Sequence, residues 1–417
     1  MNLLTTLRRR RRRFYKSLGL GAGVSILLSV IGYLGHLEIV EGKALDFLML
    51  VRGQQRTPEI VLVQIDDDAF EKLGERQPLP RSYLANLIEI VARGGARAIG
   101  LDIELKVSTD PAEDGRFLTA FEAAAENGLS KVVPAFFLRP LKEDDNGMLF
   151  RRSPFFDSRL NGIAGFANAP VDVDGFIRKV AMTLRGSDGR ALPSLALAVA
   201  ARYAGYDPAS LDAALNQGGE IALNLPEWNR FDGKPRSVNS LLTFTAGDTW
   251  RINFAGGRGS FAFLPSGPLA QLAQTKVPLA ADNPFRGKIV LIGATFQASR
   301  DFYPTPHGLL SGLEIHANII HTILTRSRIE PVRYWLALGI LLFFTLISSL
   351  LITLFSPTLV TILSVAAIPL ILIPMSYLAF AYLGLWVDFV TPLVAIRWGA
   401  LAAEYFEGRY VKKSLGQ

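Results

Sequence analysis

The run Ile60-Val61-Leu62-Val63-Gln64-Ile65, followed directly by Asp66-Asp67-Asp68, decides the fold class of this chain. So short an apolar run, rich in β-branched residues, predicts a buried strand. Pro80-Arg81-Ser82 then opens a predicted helix with Ser82 as its N-cap, and Gly94-Gly95 ends it. A second strand is predicted at 97–103. The strand, helix and strand together have the length that a parallel strand pair requires.

The alternation of helices and strands continues along the chain. Asp174-Gly175 predicts a tight turn, because glycine readily adopts the positive φ that such turns need. Residues 205–248 have a mixed character. The sequence therefore predicts an α/β domain with a mixed, partly parallel sheet and flanking helices. The further predicted helices are 110–126, 194–203 and 313–325, and the further predicted strands are 132–137, 251–254 and 288–293.

Four apolar stretches flank this domain, one before it and three after it. Each has about the 20 residues that a helix needs to cross the hydrocarbon core of a bilayer. The chain is therefore predicted to contain four transmembrane helices. The predicted segments are a basic N-terminus at 1–16, transmembrane helices at 17–37, 334–355, 358–383 and 385–406, the α/β domain at 38–333 and a tail at 407–417.

The distribution of charge predicts the orientation of these segments. The chain has a net charge of +7, but residues 38–333 carry 33 basic against 34 acidic side chains, so the excess lies at the membrane flanks. Loops with many basic residues stay in the cytoplasm. We therefore expect both termini in the cytoplasm and the large domain on the other side of the bilayer. A nearly neutral domain without a basic stripe argues against nucleic-acid binding.

The N-terminal segment has a second interpretation. Arg11-Arg12-Arg13-Phe14-Tyr15-Lys16 also resembles a twin-arginine export signal, and its cleavage would remove the first span. No small-residue cleavage motif follows Leu37, where the sequence continues Glu38-Ile39-Val40-Glu41. An uncleaved signal anchor is therefore favoured. Because the chain contains no cysteine, packing and not disulfides must stabilise the exported domain.

Several short motifs, in their order along the chain, resemble the second CHASE class, an extracellular sensory domain associated with cyclases and histidine kinases. The similarity covers nearly the whole exported region. It implies a multi-pass sensor of the bacterial inner membrane, with its large domain in the periplasm and its last three spans leading to a cytoplasmic output. The motifs are Asp46 with Arg52, the strand and acidic triplet at 60–68, Leu73-Gly74, Pro80-Arg81, Gly95-Ala96, Asp102, Asp174-Gly175 with Arg178, Pro193-Ser194-Leu195-Ala196, Ile252-Asn253-Phe254, the segment 287–293 and Glu314-Ile315-His316-Ala317-Asn318.

The chain departs from the family pattern at two places. Gln77-Pro78-Leu79-Pro80-Arg81 stands where the family tends to have Trp-Pro-Trp-Pro-Arg, so two aromatic rings are missing from that turn. Eleven residues follow Phe406, too few to fold into a catalytic domain. We therefore expect either a longer natural chain or an output through a separate periplasmic or membrane protein. A homo-oligomer is also expected, because sensors of this layout usually signal as dimers.

Charged residues near the ends of the first two predicted strands form a candidate sensor pocket of Asp66, Asp67, Asp68, Arg81 and Asp102. The alternative is a metal-dependent, phosphatase-like hydrolase in which Asp66 and Asp68 bind Mg²⁺ and attack phosphorus. That chemistry also needs a hydroxyl at the next strand end and a further acidic pair, and the sequence does not place them. The sequence therefore predicts no catalytic residues and a sensor rather than an enzyme.

No cofactor or metal site is predicted. His316 and His321 are five residues apart, which is about 140° around a helix, so they do not share one face. Arg397 lies in the fourth predicted span, where an unpaired charge costs about 3 kcal/mol. Its side chain either reaches the cytoplasmic lipid headgroups of the bilayer or pairs inside a helix bundle as an assembly residue.

Overall fold

The computed structural model describes residues 3–55, 57–105, 107–144, 147–152, 163–275, 277–363 and 368–398. The chain divides into an α/β unit, Gly53–Arg328, and a helical unit formed by Met1–Arg52 with Ile329–Gln417.

The described helices are α1 (Leu3–Tyr33), α2 (Glu38–Arg52), α3 (Asp67–Lys72), α4 (Arg81–Arg93), α5 (Pro111–Ala123), α6 (Leu195–Ala204), α7 (Pro208–Asn216), α8 (Ser266–Thr275), α9 (Gly312–Leu324), α10 (Tyr334–Leu354), α11 (Pro357–Ile362), α12 (Ile368–Leu378) and α13 (390–398). The strands are β1 (Thr57–Ile65), β2 (Ala98–Asp102), β3 (Ala125–Glu126), β4 (Leu129–Ser130), β5 (Val132–Phe136), β6 (Leu138–Asp144), β7 (Gly147–Arg152), β8 (Gly165–Phe166), β9 (Lys179–Ala181), β10 (Thr183–Gly186), β11 (Ala191–Pro193), β12 (Glu220–Trp228), β13 (Pro235–Thr245), β14 (Thr249–Arg251), β15 (Phe261–Pro265), β16 (Ile289–Ala294), β17 (Phe302–Thr305), β18 (Gly308–Ser311), β19 (Glu330–Pro331) and β20 (Leu385–Trp386).

The main sheet of the α/β unit has six strands in the order β15-β1-β16-β2-β5-β8, and its neighbouring strands run parallel. The predicted α/β class with a partly parallel sheet is therefore confirmed. β1 and β2, predicted as a parallel pair, are parallel but are not neighbours. β16 lies between them, with Leu291 opposite Leu62 on one side and opposite Gly100 on the other. Strands buried on both faces need continuous apolar runs, and β1 and β16 both have one.

Helices cover both faces of this sheet. α4, α5 and α8 pack on one face, and α6 and α9 pack on the other. α6 approaches β2 so closely that a Cβ on Gly100 would lie 3.0 Å from Val199. Complete burial of each predicted core residue of α4 stabilises the fold by about 1.5–3 kcal/mol. These residues are Leu84, Leu87, Ile88 and Val91.

Two predicted helix boundaries are wrong, because contacts outside each helix determine where it begins or ends. Pro80 and not Ser82 is the N-cap of α4, and Glu113 of α5 accepts a hydrogen bond from the Arg81 main-chain N–H at 2.9 Å. α5 ends before 126, because Asn127-Gly128 forms the turn of the β3–β4 hairpin. These two residues have φ values of 54° and 79°, as a two-residue hairpin turn requires.

Among its described residues, the helical unit contains two helices that are long and apolar enough to cross a bilayer, Arg10–Tyr33 within α1 and the whole of α10. The two helices pack against each other. The hydroxyl oxygens of Ser25 and Thr345 are 2.7 Å apart, and Ser17 donates a hydrogen bond to Ser349 at 3.4 Å. Such hydroxyl contacts stabilise helix pairs in hydrocarbon, where there is no water to compete.

The third and fourth predicted spans are described only in part. The third consists of α11, α12 and a π-helix at Ala379–Leu383, and 364–367 lie outside the described residues. The fourth does not begin as a helix at Leu385, because β20 pairs there with β19, and α13 begins at 390. Its residues 399–406 and the tail at 407–417 lie outside the described part of the chain. The count of four spans therefore stays a prediction.

Candidate functional site

β2 and β16 end side by side at the carboxyl edge of the main sheet, which is where ligands bind in open parallel sheets. Asp102 is the last residue of β2 and lies opposite Gly293 of β16. A Cβ on Gly293 would approach Leu313 of α9 to 2.8 Å and the Asp102 Cβ to 3.3 Å. Glycine at 293 therefore allows the start of α9 to pack directly over the end of the sheet.

The segment after β16 brings a second carboxyl group, that of Asp301, towards Asp102. A short 3₁₀ turn and the left-handed Arg300, at φ 57°, reverse the chain. The Tyr303 hydroxyl is hydrogen-bonded to the Asp301 carboxylate, and the Gly312 N–H donates to the Asp301 main-chain oxygen at 3.0 Å. The Asp301 carboxylate occupies the space that a Cβ on residue 312 would need, so this close approach requires glycine.

His316 joins these groups from the second turn of α9. The helix starts with a capping box: the Ser311 hydroxyl accepts from the Glu314 N–H at 3.3 Å, and the Glu314 carboxylate accepts from the Ser311 N–H at 3.0 Å. This cap fixes the start of α9 and so the position of His316, whose Nε2 lies 3.9 Å from Asp102 Oδ1. Both side chains are only 7% exposed, so protein atoms and not water surround the pair.

Burial changes the protonation of all three groups. It raises the pKa of Asp102 to about 7. Burial, followed by the charge of Asp102, raises the pKa of Asp301 to about 6. Burial lowers the pKa of His316 to about 4, although Asp301 and the Ala167 main chain act in the opposite direction. At neutral pH the imidazole is therefore uncharged. The pKa values of the two carboxyl groups lie close to neutral pH, so both groups exchange protons there.

We call Asp102, Asp301, Tyr303 and His316 the acid–histidine cluster. Its carboxyl groups titrate near neutral pH as an interacting pair, so the cluster can take up or release a proton in response to a small change of pH. In the described part of the chain, no three His, Cys, Asp or Glu side chains are placed to hold a metal ion. The chemistry that this arrangement supports is proton exchange.

A family model described as the CHASE2 domain matches residues 23–354. The chain belongs to the CHASE2 family. CHASE2 is an extracellular sensory domain, and the resemblance seen in the short motifs is confirmed. No curated protein and no solved structure matches the chain. The matched range contains the whole acid–histidine cluster, the whole of α10 and the last 11 of the 24 residues of the apolar helix Arg10–Tyr33.

Two of the predicted pocket residues have partners within α3 of the CHASE2 domain. Asp66 is the N-cap of α3, and its Oδ1 accepts a hydrogen bond from the Ala69 N–H at 3.0 Å. Asp68 is exposed, and its Oδ2 lies 2.6 Å from Lys72 Nζ. In the hydrolase alternative these two carboxylates would hold a metal and attack phosphorus. These contacts do not test enzyme activity, and that alternative stays a prediction.

The other predicted pocket residues belong to two different contact networks. Asp67 Oδ1 accepts a hydrogen bond from the Gln297 N–H at 2.8 Å, so Asp67 contacts the segment that leads to Asp301. Arg81 is fully buried, and its guanidinium donates to the Val107 main-chain oxygen at 3.1 Å and lies 3.7 Å from Asp114. Asp102 belongs to the acid–histidine cluster. That the five residues line one ligand pocket stays a prediction.

Sequence reasoning found Asp102 but missed Asp301, Tyr303 and His316. His316 belongs to a segment that carries the family resemblance, so a signal for it was present. Asp301 and Tyr303 lie in an irregular segment and a short strand, without a periodic pattern. Their proximity to Asp102 follows from the position of β16 beside β2, and no local pattern in the sequence indicates that position.

Proposed function

We propose that this CHASE2 protein is a membrane-anchored sensor whose α/β unit lies outside the cytoplasm and detects a cue there. The family match carries this proposal, because it runs from within α1 to the end of α10 and so includes the end of one apolar helix before the α/β unit and the whole of another after it. In finer detail, we place the protein in a bacterial inner membrane with four spans, both termini in the cytoplasm and residues 38–333 in the periplasm.

The antiparallel packing of α1 and α10 supports this topology. The rings of Tyr33 and Tyr334 are 5.3 Å apart at one end of the helix pair, and Ser17 contacts Ser349 towards the other end. The chain therefore leaves α1 and enters α10 at the same end of the pair, as a domain inserted on one side of a bilayer requires. The arginine run 8–13 lies at the opposite end, where a cytoplasmic flank is expected.

A short connection joins the acid–histidine cluster to a membrane helix. α9, which carries His316, ends at Leu324, and α10 begins at Tyr334. Arg326 fixes the end of α9 through hydrogen bonds to the main-chain oxygens of Leu225, Ser240 and Ile323. The proposed signal is a change around His316 that reaches α10 through α9.

Single cysteines can test the topology, because the chain contains none of its own. Ala246→Cys lies in an exposed turn of the α/β unit, Ser356→Cys lies between α10 and α11, and Asp388→Cys lies before α13. A membrane-impermeant maleimide should label the first and third in intact spheroplasts and the second only after lysis. The reverse result for Ala246→Cys and Ser356→Cys would refute the extracytoplasmic placement. Labelling of Asp388→Cys only after lysis would refute the four-span map alone.

Self-association is proposed as part of the same function. Arg397 lies in α13 with an exposed side chain, and pairing stabilises a charge within an apolar span. Arg397→Leu should therefore reduce the mass of the oligomer in mild detergent, measured by light scattering, whereas Arg139→Leu in the α/β unit should not. An unchanged mass would refute this role of Arg397. A separate periplasmic or membrane partner is also proposed, and copurification from native membranes tests it.

A further inference from the structure

A cleft of about 550 Å³ lies at the amino edge of the main sheet, the edge opposite to the acid–histidine cluster. Arg97 lines it directly before β2, Lys131 directly before β5 and Gly287 shortly before β16. Arg202 near the end of α6 and Leu129 of the β3–β4 hairpin line the other walls. All of these residues belong to the α/β unit.

Defined turns shape this cleft. The segments after α4 and α6 turn at glycines with positive φ, Gly95 at 82° and Gly205 at 98°. The Asn127-Gly128 turn brings Glu126 to 3.8 Å from Lys131. Turns of this kind hold the cleft open in the folded domain, because each has a backbone conformation that its residues favour.

The cleft carries an excess of positive charge. Four basic residues line it, and Glu126 is the acidic residue among the described lining residues, so the formal charge is +3. The carboxyl ends of α4 and α6 contribute about −0.5 each through their dipoles, which leaves roughly +2. The segment 38–333 is nearly neutral as a whole, so this charge is a local concentration. The four basic residues are Arg97, Lys131, Arg202 and Arg286.

Neutral groups contact two of the four cations of the cleft, Arg202 and the more exposed Arg97. Arg202 is buried, and it donates to the main-chain oxygens of Ser130 at 2.8 Å and Leu129 at 3.3 Å. The Arg97 guanidinium lies 4.8 Å from the centroid of the Tyr203 ring. Among the residues that the structure describes, no carboxylate lies at ion-pair distance from either guanidinium. Glu126 acts favourably on Arg202 from beyond that distance, whereas Arg97 repels it, and a bound anion would offset this repulsion.

We propose that this cleft binds a small polyanion, a molecule that carries two or more phosphate or carboxylate groups. Guanidinium groups bind both through paired N–H···O hydrogen bonds. The volume of about 550 Å³ is in the range of small-molecule sites. As the ligand class of the sensor, this inference rests on the proposed function. Binding to the purified protein does not depend on topology, so failure of the labelling experiment and failure of binding are distinguishable.

Isothermal titration of the full-length protein in detergent tests the proposal, with pyrophosphate and citrate as separate probes. At least one probe should bind at low salt, and its binding should weaken as the salt concentration rises. The tighter probe shows whether phosphate or carboxylate groups are preferred. The double variant Arg97→Gln/Arg286→Gln should bind that probe about 100-fold more weakly, since each charge-assisted contact contributes about tenfold or more to the affinity.

The matched control is Arg139→Gln/Arg258→Gln, which changes the net charge equally at exposed arginines outside the cleft. It should leave the Kd within about twofold of the wild type, because exposed charges at a distance are screened. Thermal unfolding shows whether each variant folds. If the cleft double variant does not fold, Lys131→Gln takes its place, with an expected loss of affinity of about tenfold. Absence of binding by both probes would overturn the proposal, and so would equal losses in the cleft variant and the control.

Discussion

Asp102→Asn should become progressively more stable than the wild-type protein as the pH rises from 5 to 8. The Asp102 side chain is 7% exposed, and burial raises its pKa from 3.8 to about 7. A carboxyl group with a raised pKa in the folded state favours folding below pH 3.8, and this contribution is lost as the pH rises through about 7. Asparagine has the shape of the neutral acid and shows no such pH dependence.

The magnitude follows from the two pKa values. The full rise from 3.8 to about 7 corresponds to roughly 4 kcal/mol, of which roughly 2–3 kcal/mol falls between pH 5 and pH 8. For a unit of this size, that difference corresponds to a change in Tm on the order of 5–10 °C. His316 has the opposite sign, since its pKa is lowered to about 4 and its contribution is lost as the pH falls below 6.5. His316 is present in both proteins, so its own burial contributes equally to both. The charge of Asp102 also raises the pKa of Asp301, so its removal adds an effect of the same sign, and the difference reports Asp102 together with its action on Asp301.

Thermal unfolding of the full-length proteins in detergent at pH 5, 6, 7 and 8 measures this effect. Asp68→Asn is the matched control, because Asp68 is 68% exposed and solvent screens its pair with Lys72, so this pair contributes little to stability. Its Tm should stay close to that of the wild type throughout. If the difference in Tm between Asp102→Asn and the wild type stays constant or moves in favour of the wild type from pH 5 to 8, the reasoning is refuted. The charged form of Asp102 would then not be disfavoured in the folded state.

Two further substitutions test the packing of the α/β unit by thermal unfolding. Arg178→Met should cost about 3–5 kcal/mol, because buried Arg178 contacts Asp172 at 3.0 Å and Asp174 at 2.8 Å, and both carboxylates would lose these charged contacts, although Asp172 would keep Lys179 at 3.4 Å. Arg178→Lys should cost less, and equal losses would contradict the importance of the charge. Gly165→Ala should cost about 1–3 kcal/mol, because its Cβ would lie 2.7 Å from the Leu195 main-chain nitrogen. Gly115→Ala, at an exposed helical position with open space, should instead gain about 0.5–1 kcal/mol, and equal Tm changes in the two glycine variants would contradict the close approach of β8 and α6.

Local patterns predict an element well where local and tertiary preferences agree. The apolar period of α4 predicts its buried face because that face is the one that the sheet covers. α5 shows the limit of such patterns, since its apolar residues continue past its true end. Asn127-Gly128 is a strong hairpin signal, and giving it more weight than the apolar pattern would have placed the end of α5 correctly.

The sequence predicted only one residue of the acid–histidine cluster. Asp102 follows a recognisable strand, so its place at the sheet edge follows from the sequence. Asp301 and His316 reach it because β16 lies between β1 and β2 and α9 packs over that edge. Arg81, predicted as a pocket residue from its position at the start of α4, instead lies buried against α5. The predicted set therefore contains the correct sheet edge but not the correct neighbours.

The sequence by itself determined the family, the alternation of helices and strands, and the two long apolar helices that flank the α/β unit. These are properties of local composition, period and length, which can be read without knowledge of distant contacts. Only the tertiary structure decided the order of the strands and, with it, which charged groups meet at each edge of the sheet. A strand's sequence records its burial but not the identity of its neighbours. The pKa changes of Asp102, Asp301 and His316 likewise exist only in the folded chain, because their main cause is removal from water.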